Sequence, residues 1–317
     1  MLGARHALLS ALMLTMKNIL LLALALVTAW FIFTWTRLAQ KAKAAGEKDP
    51  ANHDDPYHSI VGFVACFFDT LGIGNFATTT SAFKFKGTVP DEKIPGTLNV
   101  GYALPTIAQA FIYISIIEVD IWTLVLLIVA AVAGSWLGAG IVAKWSRRKV
   151  QIGMGLALLA AATLFALKAL HVGPQGGAAQ ELRGGLMVAG IVGNFALGAL
   201  MTLGIGLYGP CLILISLLGM NPTAAFPIMM GSCAFLMPVG GIRFIREGGY
   251  SLRTAVVMAI SGIPAVLIAA KIVRSLPLQY VYWLVIVVVV YAAVMMLKSA
   301  AGERTQQQPQ DALNRSV

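Results

Sequence analysis

Two glycine-x-glycine sequences interrupt long apolar stretches of this chain, Gly72-Ile73-Gly74 and Gly204-Ile205-Gly206. A helix that stops at such a break and begins again leaves unpaired backbone N–H groups at its new N-terminus. Those donors, together with the positive end of the helix dipole, attract an anion. We expect the new helices to begin within 75–78 and 207–210, where Pro210 suits a first helical turn because it has no N–H group. The alternative is that the glycines only let neighbouring helices pack closely.

Polar groups around the two breaks are the candidate ligands of such an anion. Hydroxyl side chains adjoin each break, the amide of Asn75 adjoins the first, and Asn99 and Ser232 lie on the helices that follow. Because Asn99 and Ser232 lie near the predicted starts of their helices, both capping and substrate contact fit them. The candidate substrate-binding residues are Gly72, Gly74, Asn75, Thr78, Thr79, Asn99, Thr202, Gly204, Gly206, Tyr208 and Ser232.

Asp69 is the only acidic residue deep in an apolar segment. A buried carboxylate is unfavourable unless it is paired or protonated, so it marks a functional or structural site. Asp69 fits two roles, a proton carrier that couples anion movement to a proton gradient, or a hydrogen-bond anchor for the break. Gln109, also in an apolar helix, fits either the lining of a pathway or a bond to a neighbouring helix.

The chain lacks the sequence patterns of common enzymes and metal sites. No HExxH, Walker A or GxSxG pattern occurs, and Cys66, Cys211 and Cys233 lie in apolar segments without a CxxC neighbour. We therefore expect no enzymatic activity, no cofactor and no metal. The net charge of +10 is typical of Lys and Arg in cytoplasmic loops, and without basic clusters interleaved with aromatics it does not predict a nucleic-acid partner.

Composition shows what must position these residues. The chain has 317 residues, of which 58% are hydrophobic and 11% charged, whereas an ordinary soluble domain is about 25% charged. The apolar stretches are long enough to cross a bilayer, which takes roughly 20 helical residues. Runs such as 281–297 have no polar alternation, which excludes barrel strands and predicts an all-α polytopic membrane protein.

The two breaks belong to an internal duplication. Thr70 to Gly74 recurs at 202–206, a shift of 132 residues (202 − 70), and further residues match at the same shift. We predict an N-terminal transmembrane helix and polar linker (1–57), repeat one (58–171), a linker loop (172–183), repeat two (184–298) and a disordered tail (299–317). After its broken segment each repeat has three plain helices, predicted at 97–117, 121–145 and 150–170, and at 224–244, 252–273 and 278–297.

Length and charge indicate that each broken segment dips into the membrane and returns. As one helix, the segment 184–218 would be about 50 Å long, too long to cross upright. If each segment crossed once, 11 Lys and Arg side chains would lie inside and 12 outside, whereas re-entrant hairpins give 17 inside and 6 outside. The positive-inside rule favours the hairpins. A hairpin plus three crossings makes the two repeats inverted, with their breaks meeting near the midplane, the N-terminus outside and the C-terminus inside.

Two segments of repeat one resemble the sulfite exporter TauE/SafE family, also called DUF81 or TSUP permeases. The run Gly62 to Gly74, which reads GFVACFFDTLGIG, is similar to that family's opening signature of a Gly-Phe run, an acidic residue and a glycine-rich break. The segment Lys93 to Asn99, KIPGTLN, looks like its Lys-x-x-Gly-Thr segment. The resemblance covers about 58–298 and implies movement of sulfite, organosulfonates or related anions across a bacterial inner membrane, often as export.

The sequence thus predicts a secondary transporter, working by alternating access around a midplane site. Its expected partners are a small anion, the lipid bilayer and protons as coupling ion. An anion channel built on the same breaks and a membrane scaffold without transport are the alternatives. Saturable counterflow would distinguish a carrier from a channel.

Overall fold

The computed structural model describes residues 2–46, 54–72, 74–142, 177–201 and 206–275, with scattered positions within 152–170 and 283–302. The described chain is helical, which confirms the all-α prediction. Its helices are α1 (Leu2–Ala44), α2 (Asp55–Thr70), α3 (Phe76–Lys86), α4 (Ile94–Gly101), α5 (Ala103–Ile116), α6 (Ile121–Val142), α7 (Gly184–Met201), α8 (Tyr208–Leu217), α9 (Ala225–Arg246) and α10 (Leu252–Ser275).

Four helical stretches are long and apolar enough to cross a membrane, judged by length and composition: Leu14–Ala44, Gly184–Met201, Pro222–Arg246 and Leu252–Ile272. Shorter apolar helices, among them α5 and α8, lie between them. The last predicted helix of each repeat, 150–170 and 278–297, falls mostly outside the described residues.

One predicted helix is divided. In place of a single helix over 97–117, α4 ends at Gly101, Tyr102 lies between the two segments, and α5 begins at Ala103. Pro105 explains the division, because it has no N–H group to donate to the carbonyl of Gly101. Helical hydrogen bonds nevertheless continue on both sides of the division, since the N–H of Tyr102 donates to Leu98 O and the N–H of Thr106 donates to Tyr102 O.

Helices α2 and α3 form an antiparallel hairpin around the first break. The hydroxyl of Tyr57, at the start of α2, donates to the carbonyl of Ala82, near the end of α3, at 2.8 Å. Lys86 forms an ion pair with Asp54. The hydrogen bond from Lys86 holds the pKa of the Asp54 carboxyl below its usual value. The start of α2 and the end of α3 therefore lie together, and we call this side the open end of the hairpin.

Helices α7 and α8 form the corresponding hairpin around the second break. The N–H of Asn221, after α8, donates to the carbonyl of Ala179, before α7, at 2.8 Å. Gly193 of α7 packs so closely on Leu214 of α8 that an added Cβ would lie 2.7 Å from Leu214 Cδ2. The start and the end of this hairpin therefore also lie together, and we call this side its open end.

The open ends of the two hairpins lie at opposite ends of α9. We call face one the side where the hairpin of α2 and α3 opens. There Arg253 Nη2, at the start of α10, lies 2.7 Å from Asp55 Oδ2, and α9 ends at Arg246. Face two is the side where α9 begins after Asn221, next to the open end of the hairpin of α7 and α8. The hairpins therefore enter the bundle from opposite sides.

The two repeats pack on each other in an exchanged manner. Helix α2 packs against α10, and α7 packs against α6. These pairs correspond to each other under the 132-residue shift of the duplication. At the contact of α6 and α7 the backbones nearly touch, because a Cβ added to Gly198 would lie 2.0 Å from Ala131 O, and one added to Gly134 would lie 1.9 Å from Phe195 O.

Candidate functional site

The first break lies between α2 and α3, where the sequence predicts it. Helix α2 ends at Thr70, and α3 begins at Phe76, within the predicted range. Gly72 and Gly74 have φ angles of +98° and +79°. A residue with a side chain adopts these angles only with strain, so glycine is required for the turn.

The second break separates α7 from α8. Helix α7 ends at Met201, and α8 begins at Tyr208, again within the predicted range. The candidates Thr202 and Gly204 lie outside the described residues, whereas Gly206 is described. The N–H of Cys211 donates to Leu207 O, so the N–H groups of the preceding helical residues, where present, have no partner within the helix.

The two breaks enclose one cavity of about 50 Å³. Residues of both breaks, of α5 and of α9 line it, together with two residues from the last part of the chain. The lining residues are Asp69, Gly74, Asn75, Phe76, Thr106, Met201, Gly206, Leu207, Tyr208, Gly209, Pro210, Cys233, Met237, Tyr291 and Met295. Among the described residues, no Lys, Arg or His side chain lines this cavity, and Asp69 is its only carboxylate.

A chain of buried hydrogen bonds joins the breaks behind the cavity. The side-chain amide of Gln109 donates from Nε2 to Asp69 Oδ2 at 2.8 Å and to Thr70 Oγ1 at 3.0 Å. Its carbonyl oxygen accepts from the hydroxyl of Tyr208 at 2.7 Å. Asp69 also accepts a hydrogen bond from the backbone N–H of Asn75. Gln109 therefore connects the carboxylate of the first break with the phenol of the second.

Helix α5 supplies the groups that hold both breaks. Thr106 hydrogen-bonds to the hydroxyl of Tyr208, and the hydroxyl of Tyr113 donates to Thr70 O at 2.9 Å. Thr106, Gln109 and Tyr113 are spaced so that they lie on one face of a helix. Of the two roles open for Gln109, the structure shows the bond to neighbouring helices.

The structure brings four of the predicted ligands to the cavity, namely Gly74, Asn75, Gly206 and Tyr208, and the proton-coupling candidate Asp69 lines it with them. Gly72 is at the turn but packs next to Phe226 and Met229, 3.6 Å from where its Cβ would be.

Four other candidates have partners elsewhere and are not among the cavity-lining residues. Thr79 hydrogen-bonds to the hydroxyl of Tyr102 at 2.5 Å, and Thr78 donates to Asn75 O.

Asn99 donates to Pro95 O within its own helix, and Ser232 accepts from Asn194 Nδ2 at 3.2 Å. Capping was the other role open for these two, and it is wrong. The N-cap positions of α4 and α9 are Lys93 and Ala224.

Sequence reasoning missed Thr106, Tyr113 and Met237 as parts of this region. A usable signal existed for the first two, because polar side chains that share one face of an otherwise apolar helix point to a buried partner. Met237 carries no such signal, since a methionine in an apolar helix is typical of any core.

Two helical hairpins that meet at a cavity inside an all-helical membrane protein are typical of membrane transporters. The sequence profile of the sulfite exporter TauE/SafE family matches residues 1–165 and 186–316, so the chain belongs to that family. Membrane transport of sulfite-like anions is what this family membership implies. The match also includes α1, and so extends beyond the 58–298 of the sequence resemblance. Neither the curated proteins nor the solved structures contain a significant match.

Proposed function

We propose that this protein is a secondary transporter that exports a small anion such as sulfite or an organosulfonate across the cell inner membrane. The observation that carries the proposal is the cavity to which both breaks contribute. A site at the junction of two repeats can be exposed to either side in turn, if one repeat moves against the other.

The hairpins act as re-entrant elements of two inverted repeats. Two observations support this assignment: the first and last residues of each hairpin contact each other, and the two hairpins enter the bundle from opposite sides. Face one is assigned to the cytoplasm because the basic residues of the ends that meet there outnumber those at face two. Those at face one include Lys84, Lys86, Lys93, Arg243, Arg246 and Arg253.

Backbone N–H groups at the starts of α3 and α8 serve as the main anion donors. They suit this role because the described lining has no cationic side chain, and unpaired helix-start donors favour negative charge. The cavity of about 50 Å³ is small, since one water needs roughly 10–15 Å³ on this scale. This size fits an ion of a few heavy atoms, such as sulfite, better than a long organosulfonate.

Asp69 couples transport to protons. An ionised carboxylate in the lining would repel an anion, so anion entry favours the protonated form of Asp69. The hydrogen bonds of Asp69 to Gln109 and Asn75 also suit the alternative role, an anchor of the first break. Transport assays on Asp69→Asn separate the two roles.

Counterflow in proteoliposomes tests the proposal. Vesicles loaded with unlabelled sulfite should accumulate radiolabelled sulfite from outside, with a saturable rate and no requirement for ATP. Electrogenic single-channel currents in place of saturable counterflow would establish a channel. If sulfite, sulfonates, thiosulfate and small carboxylates neither bind nor raise the unfolding temperature, the transport proposal is wrong, and a scaffold role takes its place.

A further inference from the structure

We infer that Gln109 is a positioning residue which converts protonation of Asp69 into a change of hydrogen-bond direction at Tyr208. This inference rests on the proposed function of the cavity. It assigns to Gln109, which is fully buried and is not a lining residue, a role in setting what the cavity offers to an anion.

The present hydrogen bonds commit the single proton of the Tyr208 hydroxyl. That proton is donated to Gln109 Oε1 at 2.7 Å, away from any ligand in the cavity. Both N–H groups of the Gln109 amide are also committed, since Nε2 donates to Asp69 and to Thr70. A phenol hydroxyl has one donor only. In this arrangement Tyr208 lines the cavity but cannot donate to an anion.

A proton on Asp69 Oδ2 reverses this arrangement. A protonated oxygen and the Gln109 amide N–H, 2.8 Å apart, would both be donors. A half-turn of the amide removes the conflict, because Oε1 then accepts from Asp69 and Nε2 donates to the oxygen of Tyr208. The hydroxyl proton of Tyr208 is released and can turn toward the cavity, where Thr106 lies beside the same hydroxyl. No covalent bond other than that to the added proton forms or breaks, and the half-turn gives up the hydrogen bond from Nε2 to Thr70 Oγ1.

The surroundings make Asp69 the group that titrates. The other titratable groups that interact with its charge are Cys66 of α2, Tyr102, Tyr113 of α5, Tyr208 of α8 and Cys233 of α9. Thiols and phenols ordinarily titrate above about pH 8.

No Lys, Arg or His side chain is among the described residues that line the cavity. Helix α10, which packs on α2, carries Arg253, and that side chain is paired with Asp55 at face one. Since Asp69 is the only carboxylate among the described lining residues, its protonation is the event that changes the charge at the cavity.

The direct test follows the two groups without any anion. Infrared difference spectra of the purified protein, recorded from pH 4 to pH 9 with ring-labelled tyrosine, report the carboxylic-acid band of Asp69 and the Tyr208 band. Asp69→Asn and Tyr208→Phe identify the bands. In the wild type both bands should titrate together. In Gln109→Met, the Asp69 band should still titrate, and the Tyr208 band should no longer follow it.

Three results overturn the inference: no Asp69 band that titrates, a Tyr208 band that stays constant in the wild type, or one that still follows Asp69 in Gln109→Met. Asn194→Leu is the matched control. It also removes a buried amide, one that bonds Leu127 O and Ser232, and it should keep the coupled titration. If Gln109→Met does not fold, Gln109→Asn, which is one methylene too short to bridge both partners, replaces it.

Anion binding is measured separately, with methanesulfonate, whose charge stays constant over this pH range. Uptake of one proton with each anion makes the wild-type affinity fall about tenfold per pH unit above the pKa of Asp69. Gln109→Met and Tyr208→Phe should bind more weakly at low pH, with a flatter profile. A variant that keeps the full wild-type profile refutes the role of Tyr208 as a donor. If the wild type binds neither methanesulfonate nor sulfite while the two bands titrate together, the proposed function fails and the coupling stands.

Discussion

Replacing Gly198 with Ala tests the contact that joins the two repeats. A Cβ at this position would lie 2.0 Å from Ala131 O of α6, and ordinary contact begins at 3.4 Å. The obstacle is backbone, so α6 and α7 must separate by more than 1 Å to admit the methyl group. Overpacking of this kind costs about 1–3 kcal/mol in folding free energy. We expect a clearly lower unfolding temperature of the detergent-solubilised protein.

Gly185 supplies the control on the same helix. A Cβ at Gly185 meets no atom within 4 Å, and alanine has a helix propensity about 1 kcal/mol better than that of glycine. Gly185→Ala should therefore leave the unfolding temperature unchanged or raise it, whereas Gly198→Ala lowers it. If the two variants unfold at the same temperature, α6 and α7 do not approach as described, and the exchanged packing of the repeats is refuted.

Three further outcomes are expected. Transport of methanesulfonate by Asp69→Asn in proteoliposomes should lose the pH dependence seen in the wild type, and an unchanged pH profile contradicts proton coupling. Tyr113→Phe leaves the carbonyl of Thr70 without its buried donor, which costs about 1–3 kcal/mol and should appear as a lower unfolding temperature, whereas wild-type stability would show that this bond contributes nothing. Single cysteines at Pro56 and Phe85, at the open end of the first hairpin, should react with an impermeant thiol reagent from the same side of the membrane, and reaction from opposite sides excludes a re-entrant hairpin.

Local chemistry made the helical breaks predictable. The starts of α3 at Phe76 and α8 at Tyr208 follow from glycine and proline, whose backbone preferences act within a few residues. The division of α4 from α5 has an equally local cause in Pro105. The prediction missed it because the apolar run over 97–117 has the length of a single membrane-spanning helix.

Partners of side chains were much less predictable. Thr79 bonds Tyr102, which is 23 positions away, and Tyr208 bonds Gln109, which is 99 positions away. Such pairs depend on which helices pack together and on how far each is shifted along its axis relative to the other. Hydrophobic periodicity predicts neither of these. Gln109 was visible as a buried amide in need of partners, yet its sequence context gave no reason to choose Asp69 and Tyr208 over any other pair.

The exchanged packing has a consequence for how the molecule moves. The first hairpin is attached to α10 of the other repeat through Arg253 and Asp55, and the second is attached to α6 through nearly touching backbones. Each hairpin should therefore move together with a helix of the other repeat. Repeat one alone would lack α10, and repeat two alone would lack α6, so each hairpin would lose the helix on which it packs.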